Sequence, residues 1–224
     1  MSITHHPSDI VLAEFANATL DEAASVVVVA HLLHCQHCRN TVREFETLGG
    51  ILLEDTAPST PLSAAAGDLL HGDAGQPTLA AGKATSAAAL SGTSTAPDSA
   101  EARTASLMSL YAAGRWRWIG PGLHRRELKV PSTSGVRVFM LKAKGGLALP
   151  DHTHSGIEWT CVLEGAFSHE AGRFGVGDFD EADASVHHEP IVEEGTDCVC
   201  LVAMSGQLKL KSRFGRLLQP FVRI

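Results

Sequence analysis

Residues 146–165, GLALPDHTHSGIEWTCVLEG, decide the fold of the second half of the chain. His152 and His154 are separated by one residue, and in a β-strand this alternation places both imidazoles on the same face. Glu158 follows after a Ser-Gly pair that can turn the chain into the next strand. Imidazole and carboxylate groups are common ligands of transition metals, so the stretch predicts a metal site on β structure. The alternative is a pair of surface histidines.

The sequence around this stretch is typical of short strands. From about Leu107 onward, alternating runs are separated by glycine-rich turns, as at 136–140, 158–163 and 197–202. Regularly spaced short strands of this kind predict a sandwich or a barrel, including the double-sheet jelly roll.

The same stretch resembles the first motif of the cupin family, G-x5-H-x-H-x3-E-x6-G. The residues in register with that motif are Gly146, His152, His154, Glu158 and Gly165. The resemblance implies an all-β cupin, which is a jelly-roll barrel or double-stranded β-helix, with His152, His154 and Glu158 as metal ligands.

The second cupin motif, G-x5-P-x-G-x2-H, is implied to supply a fourth ligand. Counting from Gly177 places this ligand at His188, and His187 is the alternative. The match is incomplete, because Asp183 and Ser185 stand where the family has proline and glycine. Three histidines and one carboxylate suit Zn, Fe, Mn, Ni or Cu. We expect a divalent transition metal in the cupin, with Zn²⁺ as the first choice.

A second cluster of ligand-type residues lies nearer the amino terminus, in VVVVAHLLHCQHCRN, residues 26–40. His31, Cys35 and Cys38 are four and three residues apart, so a helix would place them on one side. Structural zinc prefers four thiolate or imidazole ligands, and the His5-His6 pair can supply the fourth. The alternatives are a buried histidine with two buried cysteines, or a redox Cys-x-x-Cys motif, although no βαβ pattern surrounds it.

The first 71 residues are predicted to form a small helical bundle. We expect helices over 8–20, from 21 to about 35, over 41–48 up to Gly49-Gly50, and over 61–71. A domain of about 70 residues has only a small hydrophobic core, so bound zinc would contribute to its folding free energy. The second helix is apolar on more than one side, which fits either a fully buried helix or a helix with one side open to a partner. His34 and His37 are expected to face solvent.

The pattern His…His-x3-Cys-x2-Cys in a small helical domain resembles the zinc-binding anti-sigma domain. In that family the fourth ligand precedes the first helix in a way that matches His6 better than His5. The resemblance implies Zn²⁺ held by His6, His31, Cys35 and Cys38. It also implies a domain that holds an extracytoplasmic-function sigma factor away from RNA polymerase.

Residues 72–98 separate the two parts, and 21 of these 27 residues are Ala, Gly, Ser, Thr or Pro. Such a stretch buries too little apolar surface to offset its ordering entropy, so it is interpreted as a linker. The predicted fold class is therefore α + β with two domains. We expect a helical zinc-binding domain at 1–71, a linker at 72–106 and a cupin domain at 107–224.

Composition and charge narrow the range of partners. The formal net charge is −7 and the isoelectric point is about 5.9, which disfavours direct nucleic-acid binding. The start shows no signal-peptide pattern, and the longest apolar run, Val26–Ala30, is too short to span a membrane. Five cysteines at these spacings do not indicate a secreted disulfide framework. We expect a cytoplasmic protein without a membrane or nucleic-acid partner.

Zinc anti-sigma helices, a linker and an HxHx3E cupin together resemble the ChrR-type anti-sigma factors over nearly the whole chain. Further shared segments are HHPSD at 5–9, GRFGVGD at 172–178 and the terminal LLQPFVRI. The resemblance implies a non-enzymatic repressor that releases a group IV sigma factor under oxidative stress, such as singlet oxygen or organic peroxide, with the cupin as sensor. The sequence leaves open a homodimer through the cupin.

Two other functions fit the same residues. A cupin with three histidines and one glutamate could be a metal-dependent oxidase or dioxygenase, with Trp116, Trp118 and Trp159 lining a cavity. It could also be a small-molecule-binding regulator without a sigma factor. Cys161, near the metal motif, is expected to be structural, with a thiol sensor as the alternative.

Overall fold

The computed structural model describes residues 3–56 and 99–210 of the 224. Four helices lie in these ranges: α1 Asp9–Ala16, α2 Glu22–His34, α3 Gln36–Glu54 and α4 Ala100–Ser109. Twelve strands follow: β1 Ala112–Ala113, β2 Arg117–Gly120, β3 Leu123–Lys129, β4 Arg137–Ala143, β5 His152–His154, β6 Glu158–Glu164, β7 Ala166–His169, β8 Gly172–Gly175, β9 Phe179–Ala182, β10 Ile191–Val192, β11 Cys198–Met204 and β12 Leu208–Leu210. The predicted order of helices followed by an all-β part is confirmed.

The first two helices begin where predicted, directly after Ser8 and Asp21. The Ser8 side chain accepts a hydrogen bond from the Val11 amide, and the Asp21 side chain accepts one from the Ala23 amide. α1 ends at Ala16, earlier than predicted, because the chain turns through Ala18, whose φ is +55°.

The prediction for the third helix is wrong at both ends. α3 begins directly after Cys35, because the Cys35 side chain caps the new helix by accepting a hydrogen bond from the Cys38 amide. The helix then continues through Gly49 and Gly50 to Glu54. Glycine weakens a helix by about 1 kcal/mol relative to alanine but does not have to end it.

Three predicted features concern residues outside the described ranges. They are the helix over 61–71, the linker over 72–98 and the terminal segment 217–224. Within the described part, the end of the predicted linker is helical from Ala100 onward, and this helix continues across the predicted boundary at 107.

The β part consists of antiparallel sheets that enclose an apolar core. The large sheet has the order β1-β3-β4-β11-β6-β9, with β2 also paired to β3. A three-stranded sheet, β10-β7-β8, and a β12-β5 pair accompany it. Phe139, Val162 and Val202 of the large sheet share one core cluster with Phe167 and Phe174 of the three-stranded sheet. This arrangement agrees with the predicted jelly-roll barrel.

The helices cover the outer face of the large sheet. β11 is buried at all seven positions, because alternate side chains face the barrel core and the helices. Leu201 and Ala203 of β11 join Trp159 and Cys161 of β6 in a single apolar cluster with α2. The helical part and the barrel therefore share one core.

α2 is buried all the way round from Val26 to Leu33. It contacts α1, α3 and α4 and also packs on β4, β6 and β11. The fully buried alternative for this helix is therefore the correct one, and its second apolar side is covered by the chain's own sheet. His34 is half-buried, with Nε2 3.2 Å from Oγ1 of Thr104 on α4, so its predicted solvent-facing position is wrong, whereas His37 is exposed.

Asp21 forms a second link between the helical part and the barrel. One carboxylate oxygen caps α2, and the other accepts hydrogen bonds from the loop before β4, from Ser132, Thr133 and Ser134. Over 3–56 and 99–210, no helix is both long and apolar enough to cross a membrane.

Candidate metal centres

Four ligand-type side chains converge where the amino-terminal segment meets the first helices. The ligand atoms of His6, His31, Cys35 and Cys38 all lie within 4.8 Å of one another. Nδ1 of His6 is 3.4 Å from Sγ of Cys35 and 3.3 Å from Sγ of Cys38, and Nε2 of His31 is 3.2 Å from Sγ of Cys38. The structure thus brings together all four residues predicted to bind zinc in the helical part.

The local fold explains this convergence. His31 lies in the last turn of α2, Cys38 in the first turn of α3, and Cys35 ends one helix and caps the next. The prediction placed all three on one side of a helix and allowed that helix to end between the two cysteines; in the structure two helices meet at Cys35, and the side chains point to one place. His6 reaches them from the segment before α1, whereas His5 stacks on Phe174 with ring centroids 4.0 Å apart.

The donor set suits a zinc ion. Burial lowers the pKa of His31 to about 4, so this imidazole is neutral and keeps a lone pair for a metal. Burial and then the neighbouring Cys35 raise the pKa of the Cys38 thiol, so a thiolate there would need a compensating positive charge. A divalent cation would supply that charge, and two thiolates with two imidazoles form the tetrahedral set that structural zinc prefers.

A second group of imidazoles lies inside the barrel. Nε2 of His188 is 3.0 Å from Nε2 of His152 and 3.3 Å from Nε2 of His154. β5 carries His152 and His154, and the loop after β9 carries His188, which exchanges two backbone hydrogen bonds of 3.2 Å with His152. The neighbouring His187 is exposed, so the structure places His188 and not His187 in the group.

The imidazole rings of His152, His154 and His188 can bind one cation together. Burial lowers the pKa of His152 and of His188, and burial followed by the charge of His152 lowers the pKa of His154 to about 4. His152 donates its Nδ1 proton to the Pro150 carbonyl at 2.7 Å, which leaves a lone pair on Nε2. Neutral imidazoles whose Nε2 atoms meet at one point fit a divalent transition metal.

Glu158 lies beside this group and not within it. Its Oε2 is 3.7 Å from Nδ1 of His154, whereas the other ring nitrogen of His154, Nε2, is the one near His188. Burial and then the charge of Asp180 raise the pKa of Glu158 to about 8. The predicted fourth ligand is thus adjacent to the three histidines, and its ligation stays a prediction.

Sequence reasoning missed two polar residues next to His188. Asp180 on β9 has its Oδ2 3.9 Å from Nδ1 of His188 and 3.2 Å from Nε2 of His169 on β7. The ligand atoms of these three residues also lie within 4.8 Å of one another. Only the strand alternation of β7 and β9 could have suggested that His169 and Asp180 face inward.

The remaining cysteines and tryptophans lie away from this group. Cys161 and Trp159 face α2 from the outer side of β6, and burial raises the pKa of Cys161 far above its ordinary value. Cys198 and Cys200 belong to the barrel core cluster. Trp118 and Trp116 are exposed on and beside β2. None of the three tryptophans therefore lines a cavity at the three histidines.

Comparisons with known proteins find similarity to the cupin part and to the whole chain. Residues 105–208 match the ChrR cupin-like domain. Anti-sigma-E factor ChrR of Cereibacter sphaeroides is 36% identical over 232 residues, which cover 100% of both chains. The crystal structure of Rhodobacter sphaeroides SigE in complex with the anti-sigma ChrR matches with a TM-score of 0.65 and 33% identity, over 91% of this chain and 100% of that one.

A more distant likeness involves the barrel alone. An RmlC-like cupin from Ralstonia eutropha matches with a TM-score of 0.39 and 21% identity, over 45% of this chain and 68% of that one. A likeness at this level carries no argument about function.

Proposed function

Because this chain belongs to the ChrR family of anti-sigma factors, we propose that it sequesters an extracytoplasmic-function sigma factor and thereby represses transcription. The observation that carries the proposal is the full-length likeness to Anti-sigma-E factor ChrR, at 36% identity over all of both chains. Membership of this family makes the chain a regulator rather than an enzyme. Since a sigma factor acts on RNA polymerase, the proposal also implies a cytoplasmic location.

A zinc ion would stabilise the sigma-binding part. His6, His31, Cys35 and Cys38 would hold it, and zinc would supply a cross-link between the amino-terminal segment, α2 and α3. Without that cross-link, His6 would be free to leave Cys35 and Cys38, and α3 would lose its fixed angle to α2.

The exposed end of α3 supplies a surface for the partner. Leu48, Ile51, Leu52 and Leu53 are 52–74% exposed, and we call these four residues the α3 apolar surface. α2 cannot serve this purpose in the structure described, because the barrel covers it. An apolar helix face of this kind fits a groove on a partner protein.

The partner proposal is tested by binding the purified full chain to the extracytoplasmic-function sigma factors of the same organism. We expect a stable complex that Leu52→Glu weakens by about 10-fold or more, since burying a leucine contributes about 1.5–3 kcal/mol. Leu110→Glu is the matched control, because Leu110 is 56% exposed at the end of α4. Equal loss in both variants would remove the α3 apolar surface from the proposal, and no complex with any such sigma factor would overturn the proposal itself.

We further propose that the cupin is the sensor and that its metal, Zn²⁺ or another divalent ion, is held by His152, His154, His188 and Glu158. The shared core between α2 and the sheet supports this, because a change in the barrel can alter the free energy of the helical part. A signal can release the sigma factor only by favouring the free state over the bound state.

The sensor role is tested by measuring sigma release after exposure to singlet oxygen or an organic hydroperoxide. We expect the double variant His152→Ala/His154→Ala to release less sigma factor than the parent. Equal release would exclude the cupin metal as the sensor. The domain limits 1–71, 72–106 and 107–224 and a homodimer through the cupin stay predictions.

A further inference from the structure

A cupin loop reaches the metal cluster of the helical part. The Gly177 carbonyl accepts a buried hydrogen bond of 2.7 Å from Nδ1 of His31. A carbonyl oxygen can only accept, so His31 carries its proton on Nδ1 and has its lone pair on Nε2, which is the atom that faces Cys38. The barrel thus fixes the tautomer and the orientation of one candidate zinc ligand.

The next residue of the same loop holds the segment that carries His6. Asp178 is buried, and its Oδ1 accepts hydrogen bonds from the amides of Thr4 at 2.7 Å and His5 at 3.0 Å. The Phe179 amide donates to the His5 carbonyl at 3.1 Å, so residues 4 and 5 lie along the start of β9. These bonds fix the chain immediately before His6.

Gly177 allows this close approach. Its φ is +88°, and a Cβ atom there would lie 2.6 Å from Cδ1 of Ile3 and 2.7 Å from Cβ of His34. The loop is therefore in direct contact with both the amino-terminal segment and the end of α2. The other oxygen of Asp178 accepts from the Gly175 amide at 2.8 Å, which holds the loop itself in shape.

We propose that residues 175–179 of the cupin, which connect β8 to β9, are the outer shell of the amino-terminal metal site and position two of its four ligands. Gly177 positions His31 through its carbonyl, and Asp178 positions His6 through the backbone of the preceding residues. Outer-shell partners of this kind set ligand orientation and metal affinity.

The same strand then reaches the second metal centre. β9 begins directly after Asp178 and carries Asp180, whose carboxylate lies 3.9 Å from Nδ1 of His188. One short stretch of chain therefore touches a ligand of each site. A change at either centre can shift the metal affinity of the other, and by thermodynamic linkage the effect is reciprocal. The inference concerns metal affinity alone, and only an effect of this coupling on sigma release would rest on the proposed function.

The test is a cobalt titration of the metal-free full chain. Thiolate-to-cobalt charge transfer reports binding at Cys35 and Cys38, whereas the histidine group of the barrel contributes no such band, and Cys35→Ala shows that the band belongs to this site. We expect Asp178→Ala to weaken cobalt binding by about 10- to 100-fold, the usual effect of losing an outer-shell partner. Asp197→Ala is the control, since Asp197 is a half-exposed cupin carboxylate in an ion pair with Lys142.

The cobalt titration uses no sigma factor, so its result is independent of the proposal that the chain binds a sigma factor. A cobalt affinity in Asp178→Ala equal to that of the parent and of Asp197→Ala would overturn the inference. If circular dichroism shows that Asp178→Ala does not fold, Asp178→Asn decides, because asparagine has only one acceptor oxygen and cannot accept from the Gly175 amide and from the amides of Thr4 and His5 at the same time. Weaker cobalt binding in a folded Asp178→Asn supports the inference, and parent-like binding overturns it.

Discussion

Replacing Leu32 with alanine tests whether the helices and the barrel are one cooperative unit. Leu32 is 0% exposed and lies in the core cluster that also contains Trp159 and Leu201 of the large sheet. A buried Leu→Ala change costs about 3 kcal/mol or more, through lost transfer free energy and the cavity that remains. With a urea dependence of about 2 kcal/mol per M, the unfolding midpoint should fall by about 1.5 M.

The assay is urea unfolding of metal-loaded protein, followed by the fluorescence of Trp159. Trp116→Phe and Trp118→Phe are introduced into every variant, because both of these tryptophans are exposed and would obscure the signal. Since Trp159 faces the helices, its transition should move together with the far-ultraviolet circular dichroism of the helices.

Leu110→Ala is the matched control, because the side chain is 56% exposed and should change the midpoint little. If Leu32→Ala shifts the helical transition but leaves the Trp159 transition where the parent has it, the two parts unfold independently. The shared core would then not carry the coupling that the sensor proposal needs.

Three further predictions concern single side chains. Burial alone would raise the pKa of Asp21, but hydrogen bonds from Ala23, Ser134 and Thr133 outweigh it and lower that pKa from 3.8 to about 2. Folding thus favours the charged form of Asp21, so its contribution to the free energy of unfolding is present above pH 3.8 and is lost as the pH falls towards 2. In this interval, the stability of Asp21→Asn should depend less on pH than that of the parent in acid unfolding. An equal pH dependence of stability in the two proteins would contradict the prediction. Gly165→Ala should lower the melting temperature more than Gly195→Ala. Both glycines have a positive φ, but only a Cβ atom at 165 would collide with the Asp197 backbone. Equal melting temperatures of the two variants would refute this. Asp180→Asn should weaken metal binding in the barrel by about 10-fold, as measured by chelator competition. Asp183→Asn, on an exposed turn, should leave metal binding unchanged. Identical metal retention in both variants would show that Asp180 does not position His188.

The local part of the candidate sites could be predicted from the sequence. His31, Cys35 and Cys38 lie within eight residues, so any helical path brings them close, even though α2 and α3 meet at Cys35 rather than forming one helix. His152 and His154 face the same side because strand alternation requires it. His6 was chosen over His5 only through the resemblance to a family.

The contacts between distant segments could not be predicted. His169 and Asp180 meet His188 only because β7 and β9 lie on facing walls of the barrel, and spacing in the sequence carries no such information. The apolar pattern of α2 fitted either full burial or one side open to a partner, and it did not indicate that the sheet would cover that side. The loop at Gly177 and Asp178 contacts residues 3–5 and α2 across more than 140 positions of sequence, as for His31 and Gly177 at a separation of 146.

The most direct measurement is the affinity between the zinc-loaded full chain and the extracytoplasmic-function sigma factor, compared with that of Cys35→Ala/Cys38→Ala. We expect a one-to-one complex with the parent and a large loss of affinity in the double variant, together with zinc content that falls by one ion per chain. A double variant that lacks this zinc yet binds the sigma factor as tightly as the parent would contradict the claim that a zinc-stabilised helical part holds the partner.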